Sequence, residues 1–293
     1  QIKPDSKNKD VSLKILGTVQ DGGMPHLGCS KKCCINYYSK GFPKKRVVSL
    51  GISNTKYNKH YLIEASPDIN YQLKDLLEDN NPSKSLDGIF LTHAHMGHYA
   101  GLLYFGKEAL GKKDIRVFSM PKMKNFLINN GPWSQLVTNQ NIAFSDLKKD
   151  NAIQLNNSLK VTPFLVPHRD EFSETVGYKI EGKNKSALFI PDINKWSLWE
   201  KNIVEEVKKV DYAFIDATFF KEGEINRPMS EVPHPFIEET VDLFKNESLT
   251  TKNKVIFIHF NHTNPALQTS SKERKELTLL GYKFAKEGKR FEL

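Results

Sequence analysis

A cluster of three histidines at the end of a short apolar run is the feature that most constrains how this chain can fold. Residues 89–102 read IFLTHAHMGHYAGL, with histidines at 93, 95 and 98. The apolar run predicts a buried strand over 88–91, and the Tyr-Ala-Gly-Leu that follows predicts the start of a helix. Since alternate side chains of an extended segment point the same way, His93 and His95 can bind one metal ion, and His98, beyond the turn, can reach a second. The chain has nine histidines in all, so three within six positions favour a metal site over solvated or capping histidines.

Short apolar runs dominate both halves of the chain, and helical segments separate them. No period of about 20 to 50 residues repeats, which excludes solenoids and propellers. The pattern predicts an α/β (α+β) protein of two packed sheets flanked by helices, and the length allows one large domain or two small ones. The predicted elements include a first strand over 11–16, paired strands over 46–53 and 60–64, and helices over 99–110, 198–208 and 272–279.

Composition narrows the classes of partner. The 293 residues are 39% hydrophobic, enough for a substantial core. Their net charge of +9 permits an anionic small-molecule substrate, but a lysine-rich solvated surface is the simpler explanation. The 43 basic residues are mostly lysines spread along the chain, and no basic-aromatic recognition module is visible, so a nucleic-acid partner is not expected. No apolar run approaches the length of a transmembrane helix. The oligomeric state stays open.

The chain begins with a polar stretch, QIKPDSKNKD, at residues 1–10, which predicts a flexible tether. Because residue 1 is Gln rather than Met, we expect an earlier segment to have been removed, and a signal peptide or lipoprotein leader would explain it. The sequence leaves a cytoplasmic and an exported or periplasmic location open.

Three further candidates for metal ligands come directly after apolar runs. His168 follows FLVP, Asp192 follows LFIP and His259 follows VIFI. A hydrolytic zinc site takes ligands from several strand ends and leaves positions open for water and substrate, so these residues are expected to join the central cluster. Asp216 also follows an apolar run and is the rival of Asp192. Asp192 is preferred because its strand, over 186–190, comes next after the predicted hairpin that follows His168.

The central stretch resembles the metallo-β-lactamase superfamily signature T-H-x-H-x-D-H-x-x-G-L, and it departs from that signature at Gly97, where the family has Asp. The resemblance implies a single domain over residues 11–293, an αββα four-layer sandwich with the metal site at one edge between the sheets. The ligand set that it implies is His93, His95 and His168 for the first ion, His98 and His259 for the second, and Asp192 as the bridge.

In that family the missing Asp binds the second ion, so another residue must replace it or the second position stays weak. Asp21 is the candidate, since it lies in an Asp-Gly-Gly turn after the first strand, which in the superfamily faces the metal cleft. Gly22 and Gly23 would let that turn approach closely. The alternative is that Asp21 stabilises its own turn as an Asx motif. His26, nearby, is a weaker candidate for a ligand or a substrate contact.

The three cysteines, Cys29, Cys33 and Cys34, fall within six positions, and their odd number makes a disulfide framework a poor explanation. Three thiolates and one imidazole form a closed structural zinc site. The loop resembles that of the cyclic-phosphate phosphodiesterase of the carbon–phosphorus lyase pathway, whose extra His implies His262 as the fourth ligand. The cysteine spacing of that enzyme is C-x-C-x-x-C, whereas the spacing here is C-x-x-x-C-C. The alternative is three reduced, partly buried thiols.

Two more stretches, 17–23 (GTVQDGG) and 258–267 (IHFNHTNPAL), resemble the pyrroloquinoline-quinone biosynthesis protein B group. Since the chain keeps all three motif histidines, we predict a metal-dependent hydrolase in which zinc-activated water attacks a phosphodiester, ester or lactone bond. Asp192 would orient the nucleophile, and His98 or a second ion would stabilise the leaving group. The cofactors implied are one or two catalytic zinc ions and one structural zinc, with manganese or iron as substitutes. The alternative is a non-hydrolytic metalloprotein, either an iron oxygenase or redox protein or one with a protein B-like role.

Overall fold

The computed structural model describes residues 10–77, 83–226 and 228–293. The strands, in chain order, are β1 (Val11–Gly17), β2 (Ser49–Asn54), β3 (Lys59–Ile63), β4 (Gly88–Phe90), β5 (Ile115–Ser119), β6 (Ile142–Asp146), β7 (Ile153–Asn156), β8 (Leu159–Leu165), β9 (Val176–Glu181), β10 (Ser186–Ile190), β11 (Tyr212–Asp216), β12 (Val255–Ile258), β13 (Lys283–Phe284) and β14 (Arg290–Glu292). The α-helices are α1 (Lys32–Ser39), α2 (Ile69–Leu76), α3 (Met96–Tyr99), α4 (Pro121–Asn129), α5 (Trp133–Thr138), α6 (Ile203–Lys208), α7 (Ile237–Leu243), α8 (Leu249–Lys252) and α9 (Lys272–Leu279).

These strands form two mixed sheets, with seven strands in each within the described ranges. The first sheet has the order β14-β1-β2-β3-β4-β5-β6, and its neighbours from β3 to β6 are parallel. The second has the order β13-β12-β11-β10-β9-β8-β7, and its neighbours from β10 to β13 are parallel. The other neighbouring strands are antiparallel.

Alternating side chains divide the apolar core into three layers, as a four-layer sandwich requires. Phe90 of β4 packs between the sheets together with Phe189 of β10 and Phe214 of β11. The neighbouring residues along these strands face the helices instead. Ile89 packs in an outer cluster with residues of α2, α4 and α5, and Ile190 packs in the opposite outer cluster with residues of α6 and α7. The predicted architecture of two sheets flanked by helices is confirmed.

Several predicted elements match the structure closely. The predicted first strand is β1, the strands predicted over 46–53 and 60–64 are the antiparallel pair β2 and β3, and the predicted helix over 272–279 is α9.

Two predicted helices differ from the structure for local reasons. The helix predicted over 99–110 is broken, because α3 ends at Tyr99 and a 3₁₀ helix over Ala100–Phe105 follows. A Cβ on Gly101 would lie 2.1 Å from the Ser66 carbonyl oxygen, so the chain is pressed against its neighbour at this point. The helix predicted over 198–208 begins only at Ile203, where the side chain of Asn202 accepts the N–H groups of the first turn.

Of the predicted tether over 1–10, residues 1–9 lie outside the described residues, and the carbonyl of Asp10 accepts the Thr55 N–H at 2.8 Å. The single domain over 11–293 stays a prediction. In the described part of the chain, none of the helices combines the length and the apolar character needed to cross a bilayer.

Candidate metal centre

The candidate ligands of the cleft follow strands that end at one edge of the sandwich. In the first sheet β1, β3 and β4 run in the same direction, and in the second sheet β8, β10, β11 and β12 do so. The loops after these strands carry, in chain order, Asp21, the three motif histidines, His168, Asp192 and His259. Strand direction therefore brings together residues that lie far apart in the sequence.

Backbone contacts hold the loop that carries the motif histidines. The Ala94 N–H donates to Ser173 Oγ at 2.8 Å, and the His98 N–H donates to the carbonyl of His95 at 2.9 Å, where α3 begins. His93 and His98 are buried, whereas His95 is partly exposed. The loop thus presents three imidazoles from a fixed backbone.

The first donor group consists of His93, His95, His168 and Asp192, with one donor atom of each within 4.8 Å of the others. His93 Nε2 lies 2.9 Å from His95 Nδ1 and 3.3 Å from Asp192 Oδ2. His168 Nε2 lies 3.1 Å from Asp192 Oδ1. Three imidazoles and a carboxylate can together bind zinc. The family resemblance implies the three histidines as ligands of the first ion and Asp192 as the bridge to the second, and these roles stay predictions.

The second donor group consists of Asp21, His98 and His259. His98 Nε2 lies 3.2 Å from Asp21 Oδ1, and His259 Nε2 lies 3.7 Å from the same oxygen. A Cβ on Gly97 would lie 2.5 Å from Asp21 Oδ1 and 2.7 Å from Asp21 Cα. Asp21 therefore occupies the space that an aspartate side chain at position 97 would need.

Asp192 lies between the two groups. Besides its contacts with His168 and His93, its Oδ2 lies 3.7 Å from His98 Nε2 and 3.8 Å from His259 Nε2. Because this buried carboxylate reaches imidazoles of both groups, its geometry suits a bridging ligand.

The outward nitrogen of each imidazole, the one that faces away from the other donor atoms, has a polar group nearby, although His98 Nδ1 makes a close contact with Glu64 and not a hydrogen bond. The contacts are Thr92 Oγ1 to His93 Nδ1 at 2.8 Å, Glu171 Oε2 to His95 Nε2 at 3.3 Å, Glu64 Oε1 to His98 Nδ1 at 3.1 Å, Asn194 Oδ1 to His168 Nδ1 at 3.1 Å, and Thr218 Oγ1 to His259 Nδ1 at 2.8 Å. The two hydroxyls donate to carboxylates, of Glu64 and Asp216 respectively, so each accepts from its imidazole N–H. A proton on the outward nitrogen leaves the lone pair of the inward nitrogen free to bind a metal.

The inward donor atoms lack hydrogen-bond partners among the described residues. Five of them are buried and unpaired: Asp21 Oδ1, Asp192 Oδ1, His98 Nε2, His168 Nε2 and His259 Nε2. In addition, His93 Nε2 and His95 Nδ1 face each other at 2.9 Å although their outward partners leave both as acceptors. A buried polar atom without a partner costs about 1–3 kcal/mol, and divalent cations would satisfy all of these atoms together. The donor set fits zinc, and it is compatible with iron or manganese.

Burial and the neighbouring charges shift the pKa values of the cluster in different directions: those of His93 and Asp192 favour ligation, whereas a metal ion at His98 would have to displace a proton. Burial and the neighbouring His98 lower the pKa of His93 well below its usual value. For Asp192, burial would raise the pKa, but the surrounding imidazoles, His168 first, outweigh it and lower the pKa well below normal. Burial would lower the pKa of His98, but the carboxylates of Glu64 and Asp21 outweigh it and raise the pKa well above normal. The second group therefore attracts positive charge.

Glu64 was not among the expected site residues, although it directly follows an apolar run, as the expected ligands do. Glu64 directly follows β3, is fully buried and has a φ of 77°, a conformation that is unusual outside glycine. Its carboxylate contacts both Thr92 and His98. The rule that ligands follow apolar runs also covers Glu64, but the rule was applied only to histidine and aspartate.

His234 was also missed, and no such signal marks it. It lies between two prolines in the stretch VPHPF rather than after a strand. Its Nδ1 lies 3.2 Å from Asp192 Oδ1 and 2.9 Å from Asp216 Oδ2. Burial would lower the pKa of His234, but these carboxylates raise it to about 9.

Asp216, the rival of Asp192, is placed differently. It forms a further potential metal group with Asp192, His234 and His259. However, its oxygens accept the N–H groups of Thr218 at 2.9 Å and of Ile193 at 3.1 Å, besides the Thr218 hydroxyl. Because Asp216 already has donors, the geometry favours Asp192 as the bridging carboxylate.

The cysteine cluster, defined as Cys29, Cys33, Cys34 and His262, can hold a further ion, since one donor atom of each lies within 4.8 Å of the others. The Sγ atoms of Cys33 and Cys34 lie 3.6 Å and 3.4 Å from His262 Nδ1, and Cys29 Sγ lies 3.8 Å from Cys33 Sγ. All three cysteines are free. Burial and the nearby His26 lower the pKa of His262 to about 4, so its imidazole is neutral, as a ligand must be.

His26 belongs to none of the potential metal groups found among the described residues. Its ring instead stacks on that of His262, with the centroids 4.3 Å apart. The structure therefore gives no support to His26 as a ligand.

Comparisons with known proteins agree with this geometry. A family model described as "Beta-lactamase superfamily domain" matches residues 59–260. The curated protein "Coenzyme PQQ synthesis protein B" of Gluconobacter oxydans (strain 621H) is 24% identical over 309 residues, covering 97% of this chain and 99% of that protein. The protein of the same name from Nitrosococcus oceani is 25% identical over 316 residues, covering 94% and 98%.

Two solved structures share the fold over nearly the whole chain. Zn²⁺-bound PqqB from Methylobacterium extorquens has a TM-score of 0.78 at 19% identity and covers 96% of this chain and 100% of its own. A diphosphatase from the PhnP family has a TM-score of 0.65 at 22% identity and covers 97% of both chains. The strand-end histidines, the two-sheet sandwich and the family match lead to one conclusion: this chain belongs to the β-lactamase superfamily.

Proposed function

We propose that this protein is a metal-dependent hydrolase that uses metal-activated water on a phosphodiester, ester or lactone bond. The observation that carries the proposal is the set of five imidazoles, each with a polar group within 3.3 Å of its outward nitrogen. Their inward nitrogens converge with the carboxylates of Asp21 and Asp192. Such an arrangement has little use in a merely structural core, where buried polar atoms are paired.

In this proposal the catalytic ligands are His93, His95 and His168 for the first ion, Asp21, His98 and His259 for the second, and Asp192 for both. A divalent metal such as zinc, when bound, supplies a Lewis acid and lowers the pKa of a bound water to about 7.

The residues of the chain supply position and charge. Asp192 has its two oxygens directed at different imidazoles, so it is placed to orient an incoming water molecule. His234 holds a proton on Nδ1 between Asp192 and Asp216, which steadies both carboxylates. His98 would either stabilise the leaving group itself or hold an ion that could supply this stabilisation.

A small anionic substrate is favoured, with a phosphodiester ranked first. The net charge of +9 supports an anion, and the cysteine cluster supports the phosphodiesterase-like branch. One or two catalytic zinc ions and one structural zinc are expected, with manganese or iron as substitutes.

A non-hydrolytic role is the second candidate. It is favoured by relatives that match nearly the whole chain and are named for the synthesis of coenzyme PQQ. The same donor set could then hold iron for a redox or oxygenase reaction.

One experiment separates the two functions. Protein purified without added metal is analysed for its metal content and then assayed against bis-p-nitrophenyl phosphate, a thioester and a lactone, with and without chelator. We expect two to three zinc ions per chain and hydrolysis that chelator abolishes and His95→Ala removes. His60→Ala, whose ring contacts Ser53 on β2, is the control. Iron without hydrolysis supports the second candidate, and hydrolysis unaffected by His95→Ala contradicts the site.

A further inference from the structure

His26 makes direct contacts on both sides, with the cysteine cluster and with the turn that carries Asp21. The ring of His26 stacks on that of His262 with the planes inclined by 27°, and the backbone N–H of His26 donates to Cys34 Sγ at 3.3 Å. On its other side the ring covers Gly22, because a Cβ there would lie 2.3 Å from His26 Cδ2. Since Gly22 adjoins Asp21, a single side chain links the cysteine cluster to the backbone beside a second-group donor.

The cysteine cluster also lies on two of the three chain segments that supply the second donor group, those of Asp21 and His259. Its cysteines follow Asp21 in the connection between β1 and β2, with Cys33 and Cys34 in α1, and His262 follows His259 by three residues. The first group differs, because His93, His95 and His168 lie on loops that carry no residue of the cysteine cluster. A change in the cysteine cluster can therefore act on one group without acting on the other.

We propose that His26 is a positioning residue that couples metal binding in the cysteine cluster to the second donor group of the cleft. An ion in the cluster fixes His262, the stacked ring of His26 fixes the Asp21 turn, and Asp21 then meets the second ion without further ordering. This inference rests on the proposed function, which assigns ions to both places. Linkage makes the effect reciprocal, and couplings of this kind are about 5- to 150-fold in affinity.

Another feature of the structure could hold Asp21 without His26. The Gln20 N–H donates to the Phe260 carbonyl at 2.9 Å, and the Phe260 N–H donates to the Thr18 carbonyl at 3.0 Å. These bonds join the segments after β1 and β12 whether or not the cysteine cluster holds an ion. The experiment must therefore separate the backbone pairing from the side-chain link.

The test uses the full chain, freed of metal and titrated with Co²⁺ and with Zn²⁺ under equilibrium dialysis. The thiolate-to-cobalt charge-transfer band reports the cysteine cluster alone, because the chain has only three cysteines. Cys29→Ser/Cys33→Ser disables the cluster but keeps the contacts of His26 with Cys34 and His262. His26→Ala keeps all four donors and removes the link. Leu27→Ala, at a neighbouring side chain that is 89% exposed, is the matched control.

We expect the double serine variant to lose the charge-transfer band and to bind the second cleft ion about 5- to 150-fold more weakly. His26→Ala should keep the band and show the same weakening, whereas Leu27→Ala should behave as wild type. The affinity of the first cleft ion should not change in any variant.

Wild-type affinity for the second ion in His26→Ala overturns the inference, because the backbone pairing would then suffice. Equal weakening of both cleft ions also overturns it, since that indicates general destabilisation. A wild type with no second cleft ion overturns the inference together with the two-ion form of the proposed function. Absence of metal-dependent hydrolysis overturns the proposed hydrolase but leaves the measured coupling intact.

Discussion

The two donor groups of the cleft share Asp192, but the chain supplies them in different ways. The first group takes His93 and His95 from one continuous motif, so their spacing of two residues in the sequence already places their side chains next to each other. The second group takes His98 from the same motif and its carboxylate from the loop after β1. Asp21 can take the place of the family's aspartate because Gly97 has no side chain and leaves room for it. A donor missing from a motif can thus be supplied from elsewhere in the fold.

The outward partners of the two groups differ as well. Both outward partners of the second group, Glu64 beside His98 and Thr218 beside His259, are fully buried. In the first group Thr92, beside His93, is buried as well, but the Glu171 side chain, beside His95, is 46% exposed. The second group therefore depends on a buried network, and we expect it to respond more strongly to changes in packing than the first group does.

Asp192→Ala should have the largest effect, because it removes the residue that the two groups share. Both cleft ions should be lost, leaving one ion per chain in the cysteine cluster, and the fall in hydrolysis should exceed the about 100-fold that loss of an outer partner causes. Metal analysis after dialysis checks this result. Asp242→Ala, with a side chain that is 69% exposed, is the control. Retention of two cleft ions would show that the groups do not share this carboxylate.

Gly97→Asp restores the family residue and should damage the second group, because its Cβ would collide with Asp21. Overpacking of this kind costs about 1–3 kcal/mol, which denaturant unfolding measures, and the second ion should be lost. Asp21→Ala/Gly97→Asp should recover part of the loss, because the Asp21 carboxylate is removed. Recovery should be incomplete, because the new Cβ at position 97 would still lie 2.7 Å from the Cα of residue 21. Met96→Asp, at an exposed neighbour, adds a carboxylate without the collision. A fully additive double variant would mean that the two positions do not interact.

Thr218→Val should weaken the second ion about 10- to 100-fold and leave the first unchanged. The substitution leaves the His259 N–H without its acceptor and removes a donor to Asp216. Thr218→Ser, which keeps the hydroxyl, should restore the affinity measured by equilibrium dialysis. Equal weakening in both variants would indicate a packing effect instead.

Glu171→Ala should have the smallest effect, less than about tenfold on the first ion, because an exposed partner is screened by solvent. Glu171→Gln keeps an acceptor for the His95 N–H and should lie closer to wild type. Competition with a chromophoric chelator measures both. An effect larger than that of Thr218→Val would reverse the comparison between the groups.

Much of the fold and part of the site could be predicted because they depend on local patterns. Apolar runs predicted β4, β8, β10 and β12. The candidate ligands were the polar residues after these runs: the motif histidines, His168, Asp192 and His259. The same rule, extended to glutamate, would have found Glu64. His234 could not be found in this way, because it follows no strand and reaches the cleft only through the folding of the loop after β11.

The sequence by itself determined the two-sheet architecture and the histidine motif, because side-chain alternation and strand-to-helix turns are properties of consecutive residues. Only the tertiary structure decided that Asp21 fills the space beside Gly97 and that His26 lies between the cysteine cluster and that turn. Both are contacts between side chains and backbone whose spacing depends on how separate loops pack. No periodicity in the sequence encodes such a distance.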